Sequence, residues 1–139
     1  MNAQEFFAAK LAFQTDVSDV HAALENPDFT LVDTRDLAAF RQAHIPQAIH
    51  LPRRMIPMRA AKLLDKATPV VVYCWGPGCD GATKAAHELA SRGYDVKEMI
   101  GGIEYWIREG FPVRTKDGLV TRQADPLTAP LAAVPAGSV

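Results

Sequence analysis

The stretch from Pro69 to Ala86 constrains the fold more than any other part of the chain. Pro-Val-Val-Val-Tyr-Cys is followed by Trp-Gly-Pro-Gly-Cys-Asp-Gly and then by Ala-Thr-Lys-Ala-Ala. A short β-branched run, apolar almost throughout, is the mark of a strand buried on both faces in the middle of a parallel sheet. Ala82, Ala85, Ala86, Leu89 and Ala90 recur at helical spacing, and Gly93 suits the residue that ends that helix. Cys74 is therefore expected at the carboxyl end of a central strand, with a glycine-rich loop leading from it to a helix. Phe29 to Thr34, Ala48 to Leu51 and Asp95 to Ile100 read as further strands. Between them, Leu37 to Arg41, a segment opened by Pro57, and Ile103 to Glu109 read as short helices. Strands alternating with helices predict an α/β domain, a mainly parallel central sheet with helices on both faces.

Outside that core, residues 1–16 read as an N-terminal helical extension, with Phe6, Phe7, Leu11 and Phe13 on one broad apolar face. Ser18 is expected to cap the next helix, which Asn26 and Pro27 close. Residues 17–113 form the α/β domain, and 114–139 a Pro/Ala-rich tail without periodicity from Asp125 onward, extended and free or laid along the domain or a partner. Any homo-oligomer is expected to form through these two extensions. Basic and acidic side chains nearly balance, giving a formal net charge of -1, so no global field gathers nucleic acid or anionic lipid. No apolar run reaches the roughly 18 residues of a membrane span. The start of the chain lacks the pattern of a secretory leader, which points to the cytoplasm. There two cysteines stay free thiols unless they serve redox or sulfur chemistry.

The chemistry is expected in the loop Cys74, Trp75, Gly76, Pro77, Gly78, Cys79, Asp80, Gly81, Ala82. At the carboxyl end of a strand, backbone amides and a helix N-terminus favour a thiolate or a persulfide anion, which makes Cys74 the candidate nucleophile. Three glycines and a proline let the backbone curl around a sulfur atom. Cys79, five positions on, is an inert thiol, or else resolves or relays what Cys74 carries. Asp80 is expected to cap the following helix, and its charge opposes ionisation of Cys74. Trp75 either covers the core or walls the pocket. Asp33 and Arg35 are expected as supports beside the site, and Lys84 as the nearest cation. Two cysteines with no second closely spaced pair make no zinc site, and nothing in the pattern calls for a metal or a cofactor.

Four ordered motifs carry a family resemblance. They are Asp33-Thr34-Arg35, Ala43-His44-Ile45-Pro46-Gln47-Ala48-Ile49-His50-Leu51-Pro52, Val70-Val71-Val72-Tyr73-Cys74, and Gly101-Gly102-Ile103-Glu104-Tyr105-Trp106 leading to Gly110-Phe111-Pro112-Val113. Over residues 17–113 the chain resembles the rhodanese-like family. That resemblance implies a rhodanese-like α/β fold. It also implies that Cys74 accepts sulfane sulfur as a persulfide from a small-molecule or protein donor and passes it to a thiol or cyanide. A second reading is a binding module in which Cys74 and Cys79 toggle between dithiol and disulfide. The chain departs from the family pattern in a longer loop after Cys74, in Ala43 and Gln47 where glycines are usual, and in Ala39 where an acid is common. The related phosphatases hold their oxyanion with an arginine at the position of Asp80, whose carboxylate would repel it. No arginine lies between Cys74 and Lys84 to meet a dianion such as thiosulfate.

Overall fold

Alternate side chains of a strand face opposite ways, and between Val70 and Tyr73 both sets are apolar. Val70 and Val72, with Cys74 just beyond, enter one hydrophobic cluster, while Val71 and Tyr73 enter a second. The computed structural model describes residues 1–128 and Pro130 and shows what is built around this strand. The strands are Gln14–Asp16 (β1), Thr30–Asp33 (β2), Ile49–His50 (β3), Val70–Tyr73 (β4) and Val96–Ile100 (β5). They form one sheet in the order β1-β5-β4-β2-β3, parallel at every pairing. The helices are Ala3–Phe13 (α1), Val17–Ala23 (α2), Leu37–Gln42 (α3), Ile56–Leu63 (α4), Gly81–Ser91 (α5) and Gly102–Arg108 (α6). Ile56 and Ala60 of α4 and Ala82, Ala85 and Leu89 of α5 bury the face of Val70 and Val72. Val17 and Val20 of α2 and Ile103 and Trp106 of α6 bury the other. Val113–Thr115 (β6) and Gly118–Val120 (β7) form a separate antiparallel pair.

At the N-terminal end, local features differ from what the sequence predicts. The cap of α2 is Asp16, whose carboxylate accepts from the Asp19 amide at 2.9 Å, and Ser18 lies inside the helix. Asp16 is the last residue of β1, so the strand runs straight into the helix and delivers its own cap. Residues 14–16 thus add an edge strand ahead of residue 17. The apolar residues of α1 are not buried: Phe6, Phe7, Leu11 and Phe13 all face solvent, and the helix leans on β1 and β5 with no buried residue of its own. In the tail, the Asp125 amide donates to the Arg108 carbonyl at 2.6 Å, and its carboxylate accepts from the Arg108 guanidinium at 3.0 Å. Ala129 and residues 131–139 of the tail lie outside the described residues. Among the described residues no helix is long and apolar enough to cross a membrane.

Candidate active site

The first turn of α6 holds the beginning of the loop in place. The Ile103 amide donates to the Cys74 carbonyl at 3.0 Å and the Glu104 amide to the Trp75 carbonyl at 2.8 Å. So close an approach needs glycine at 102. Its φ is +64°, and a Cβ there would lie 2.7 Å from the Gly76 nitrogen and 2.8 Å from the Cys74 oxygen. Beyond Trp75 the chain doubles back, the Cys79 amide donating to the Gly76 carbonyl at 3.0 Å, and this turn returns Cys79 to Cys74. A Cβ on Gly81 would meet the Cys74 sulfur at 3.0 Å and the Cys79 sulfur at 3.3 Å, so both thiols crowd onto the space this glycine leaves open. None of the loop glycines Gly76, Gly78 and Gly81 has a positive φ. Gly76 and Gly81 therefore serve by lacking a side chain, Gly76 against Glu104 and Gly81 against the two sulfurs, while Gly78 stands in open space.

The acidities of the two thiols are the reverse of the expectation for Cys74. Cys74 is buried in the cluster with Val72 and Ala82. Burial, reinforced by its hydrogen bond to Cys79, pushes its thiol up to about 11 against the help of the Trp75 amide. For Cys79, in a partly open position, burial also opposes ionisation. The hydrogen bond from Cys74 and the Gly81 and Trp75 amides outweigh it, and the thiol sits below its ordinary value. The Gly81 amide lies 3.4 Å from the Cys79 sulfur. Of the two thiols, Cys79 is thus the more acidic.

Other predicted residues fall into two groups. Asp33 and Arg35 form a buried ion pair, Nη2 to Oδ2 at 2.8 Å, and Arg35 also donates to the Ala43 carbonyl. The Arg35 guanidinium lies 4.4 Å from the centre of the Trp75 ring, so the pair reaches the loop through a stacked aromatic. The Tyr73 hydroxyl, which sequence reasoning did not single out, joins this network. It donates to Asp33 Oδ2 at 2.7 Å and accepts from the Ile45 amide at 3.1 Å. Burial and then the Asp33 charge hold its phenol well above the ordinary value, which keeps it a donor.

Asp80 and Lys84 lie off the wall of the cavity at the sulfurs, and the Asp80 charge opposes ionisation of Cys79 where the sequence predicts that it opposes Cys74. Asp80 precedes α5 but its side chain caps no amide; it pairs instead with Lys84 at 3.2 Å, both open to solvent. Trp75 is exposed and lines a cleft of about 830 Å³ with Ile103, Glu104, Ile107 and the segment around Arg122–Pro126. A smaller cavity of about 250 Å³ lies at the sulfurs, bounded by Cys74, Gly76, Pro77, Cys79, Gly101 and Gly102, with Glu98 as the charged residue on its wall and, among the described residues, no lysine or arginine. Among the described residues no group of three or more His, Cys, Asp or Glu side chains is placed to hold a metal ion.

Residues 16–109 match the model of the rhodanese-like domain. The chain belongs to the rhodanese-like family. A protein of Allochromatium vinosum named a sulfurtransferase is 35% identical over 95 residues, 68% of this chain and 86% of that relative. The crystal structure of a Bacillus halodurans protein superposes with a TM-score of 0.77 at 41% identity, covering 84% of this chain and 86% of its own. A rhodanese-related protein of Thermoplasma volcanium gives a TM-score of 0.63 at 25% identity, covering 73% and 96%. Family and relative together support a sulfurtransferase-type role.

Proposed function

We propose that this rhodanese-like domain carries sulfane sulfur as a persulfide on Cys74 and delivers it to a thiol or cyanide acceptor. The observation that carries this reading is the placement of the Cys74 and Cys79 sulfurs about Gly81, on the wall of a small cavity at the carboxyl end of the central strand. Cys74 reacts as its thiolate, its proton passing to an ionised Cys79 on the other side of Gly81. Its sulfur attacks the outer sulfur of the donor, the donor's S–S bond breaks, and the outer sulfur stays on Cys74 while the donor thiol leaves with the proton. Glu98 on the cavity wall and the absence there of lysine or arginine favour a thiol-borne persulfide over a dianionic donor such as thiosulfate. Free thiols at both positions fit a reducing compartment such as the cytoplasm.

Loading is tested by incubating the parent chain and Cys79→Ser with glutathione persulfide under non-reducing conditions. A gain of about 32 Da mapped to Cys74 in Cys79→Ser, absent from Cys74→Ser, is the expected result. No sulfur on any variant and no sulfide released by the parent overturns the proposal. The closeness of the two thiols also supports the second reading, a dithiol-disulfide switch without sulfur transfer. In that case oxidation joins Cys74 to Cys79 while no donor loads either.

A further inference from the structure

We infer that Cys79 resolves the Cys74 persulfide, so that the site releases hydrosulfide and leaves a Cys74–Cys79 disulfide for an external dithiol to reduce. This rests on the persulfide reading above and extends it to a reductive activity, with sulfane sulfur as the oxidised substrate and a dithiol as the electron source.

The geometry argues for it in three ways. The turn closed by the Cys79 amide and the Gly76 carbonyl folds the loop back so that Cys79 lies beside the strand end that carries Cys74. Gly81 is the residue whose missing side chain leaves both sulfurs room, with Cβ-to-sulfur distances of 3.0 and 3.3 Å where any other residue would intrude. A disulfide needs the sulfurs to close to about 2 Å, and only an unobstructed space permits that movement. Finally, Cys79 is partly open to solvent whereas Cys74 is buried, so an external dithiol meets the mixed bond first at Cys79.

The placement of the two thiols also decides which sulfur is attacked. Cys79 shares the space left open at Gly81 with the Cys74 sulfur itself, the inner atom of a persulfide at that position. Attack there expels hydrosulfide. Attack on the outer sulfur would instead expel the Cys74 thiolate, a poor leaving group in its buried site. The step balances as written. The Cys79 proton passes to the outer sulfur of the Cys74 persulfide anion, the Cys79 sulfur then bonds to the Cys74 sulfur, the bond from Cys74 to the outer sulfur breaks, and the outer sulfur departs as hydrosulfide with that proton and the negative charge. The external dithiol then reduces the protein disulfide by two electrons, becoming a disulfide itself and returning a proton to each cysteine.

The test is a single turnover without oxygen. Parent, Cys79→Ser and Cys74→Ser chains, fully reduced and freed of reductant, are mixed with a slight excess of glutathione persulfide; free sulfide, intact mass and non-reduced peptides are then measured. The expected parent product is about one sulfide per chain with a loss of about 2 Da and a Cys74–Cys79 linked peptide. Cys79→Ser instead keeps about 32 Da on Cys74 and releases sulfide only when dithiothreitol is added. Cys79→Ala replaces it should the serine variant not fold.

A parent chain that holds its persulfide, forms no linked peptide and yields no sulfide before dithiothreitol overturns the inference while leaving the persulfide reading intact. A linked peptide formed without sulfide release also overturns it. Failure of both the parent and the Cys79 variants to take up sulfur or release sulfide removes the underlying reading as well.

Discussion

Replacing Gly102 with alanine tests whether α6 truly clamps the reactive loop. Two costs are separable. A side chain at φ +64° costs about 1–2 kcal/mol through its own backbone. The added methyl would also lie 2.7 Å from the Gly76 nitrogen and the Trp75 carbonyl carbon and 2.8 Å from the Cys74 oxygen. Those are backbone atoms that cannot swing aside as a flexible side chain would, and overpacking of this kind costs about 1–3 kcal/mol. The sum, about 2–5 kcal/mol, is a large share of the stability of roughly 5–15 kcal/mol typical of a domain. It lowers Tm by about 6–20 °C for a chain of this length. Gly118 supplies the control, because its φ is +100° and a Cβ there meets nothing within 4 Å, so Gly118→Ala reports the backbone cost alone. Urea unfolding followed through the buried Trp106 measures both variants. Gly102→Ala is expected to lose clearly more stability than Gly118→Ala and to load sulfur more slowly, since the Cys74 carbonyl must move. Equal losses, within about 0.5 kcal/mol, would refute the clamp.

Alkylation by iodoacetamide at about pH 7.5 is expected to reach Cys79 well before Cys74, read by peptide mass; Cys74 reacting first would contradict the acidity order. Above pH 9 the unfolded chain releases the Cys74 proton while the folded chain keeps it up to about 11, so stability falls as pH rises through that window. Cys74→Ala should flatten that slope in urea titrations at a series of pH values. Gln47, with φ +72° and its amide donating to the Leu24 carbonyl at 3.0 Å, occupies a left-handed position without being glycine. Gln47→Gly is expected to be about 1 kcal/mol more stable than Gln47→Ala, since both lose the hydrogen bond but only alanine keeps the strain; an alanine variant at least as stable shows that the strain is absent.

What could be read from residue types was legible wherever local pattern and burial coincide. The run at Val70–Tyr73 is apolar at both parities, so it sits centrally and carries Cys74 to the strand end. Gly93, with φ +94° just past α5, ends that helix as its residue type suggests. Local chemistry misled where a nearby element supplied a competing partner. Asp80 has the right type and position for a cap, yet Lys84 one turn on takes its carboxylate. Ser18 has the right type too, but β1 brings Asp16 into place first. The Tyr73 hydroxyl and the crowding at Gly102 come from contacts across 28 to 40 residues or between two loops, for which one sequence holds no local signal. The acidity of Cys74 fails for the same reason: amide donors near the strand end are readable, but the packing of Val72 and Ala82 around the sulfur is not.

That packing bears on what the site is complementary to. Backbone amides at the start of a helix were expected to hold a thiolate on Cys74, and instead the empty thiol sits in hydrocarbon and keeps its proton. Adding a sulfur changes where the charge resides. The outer atom of a persulfide would stand about 2 Å beyond the cysteine sulfur, and Cys74 itself lines the cavity bounded by Gly76, Gly101 and Gly102. There the charge is no longer on the buried atom, so the desolvation that penalises the thiolate falls less heavily on the loaded state. On the persulfide reading such a site discriminates by state: unloaded, Cys79 is the more acidic of its two thiols; loaded, the negative charge would rest on the outer sulfur instead of the buried Cys74 sulfur. On the proposed reading, the charge that Cys74 cannot comfortably hold on its own sulfur is one it holds on its cargo, and Cys79, the more acidic thiol, is the group beside it.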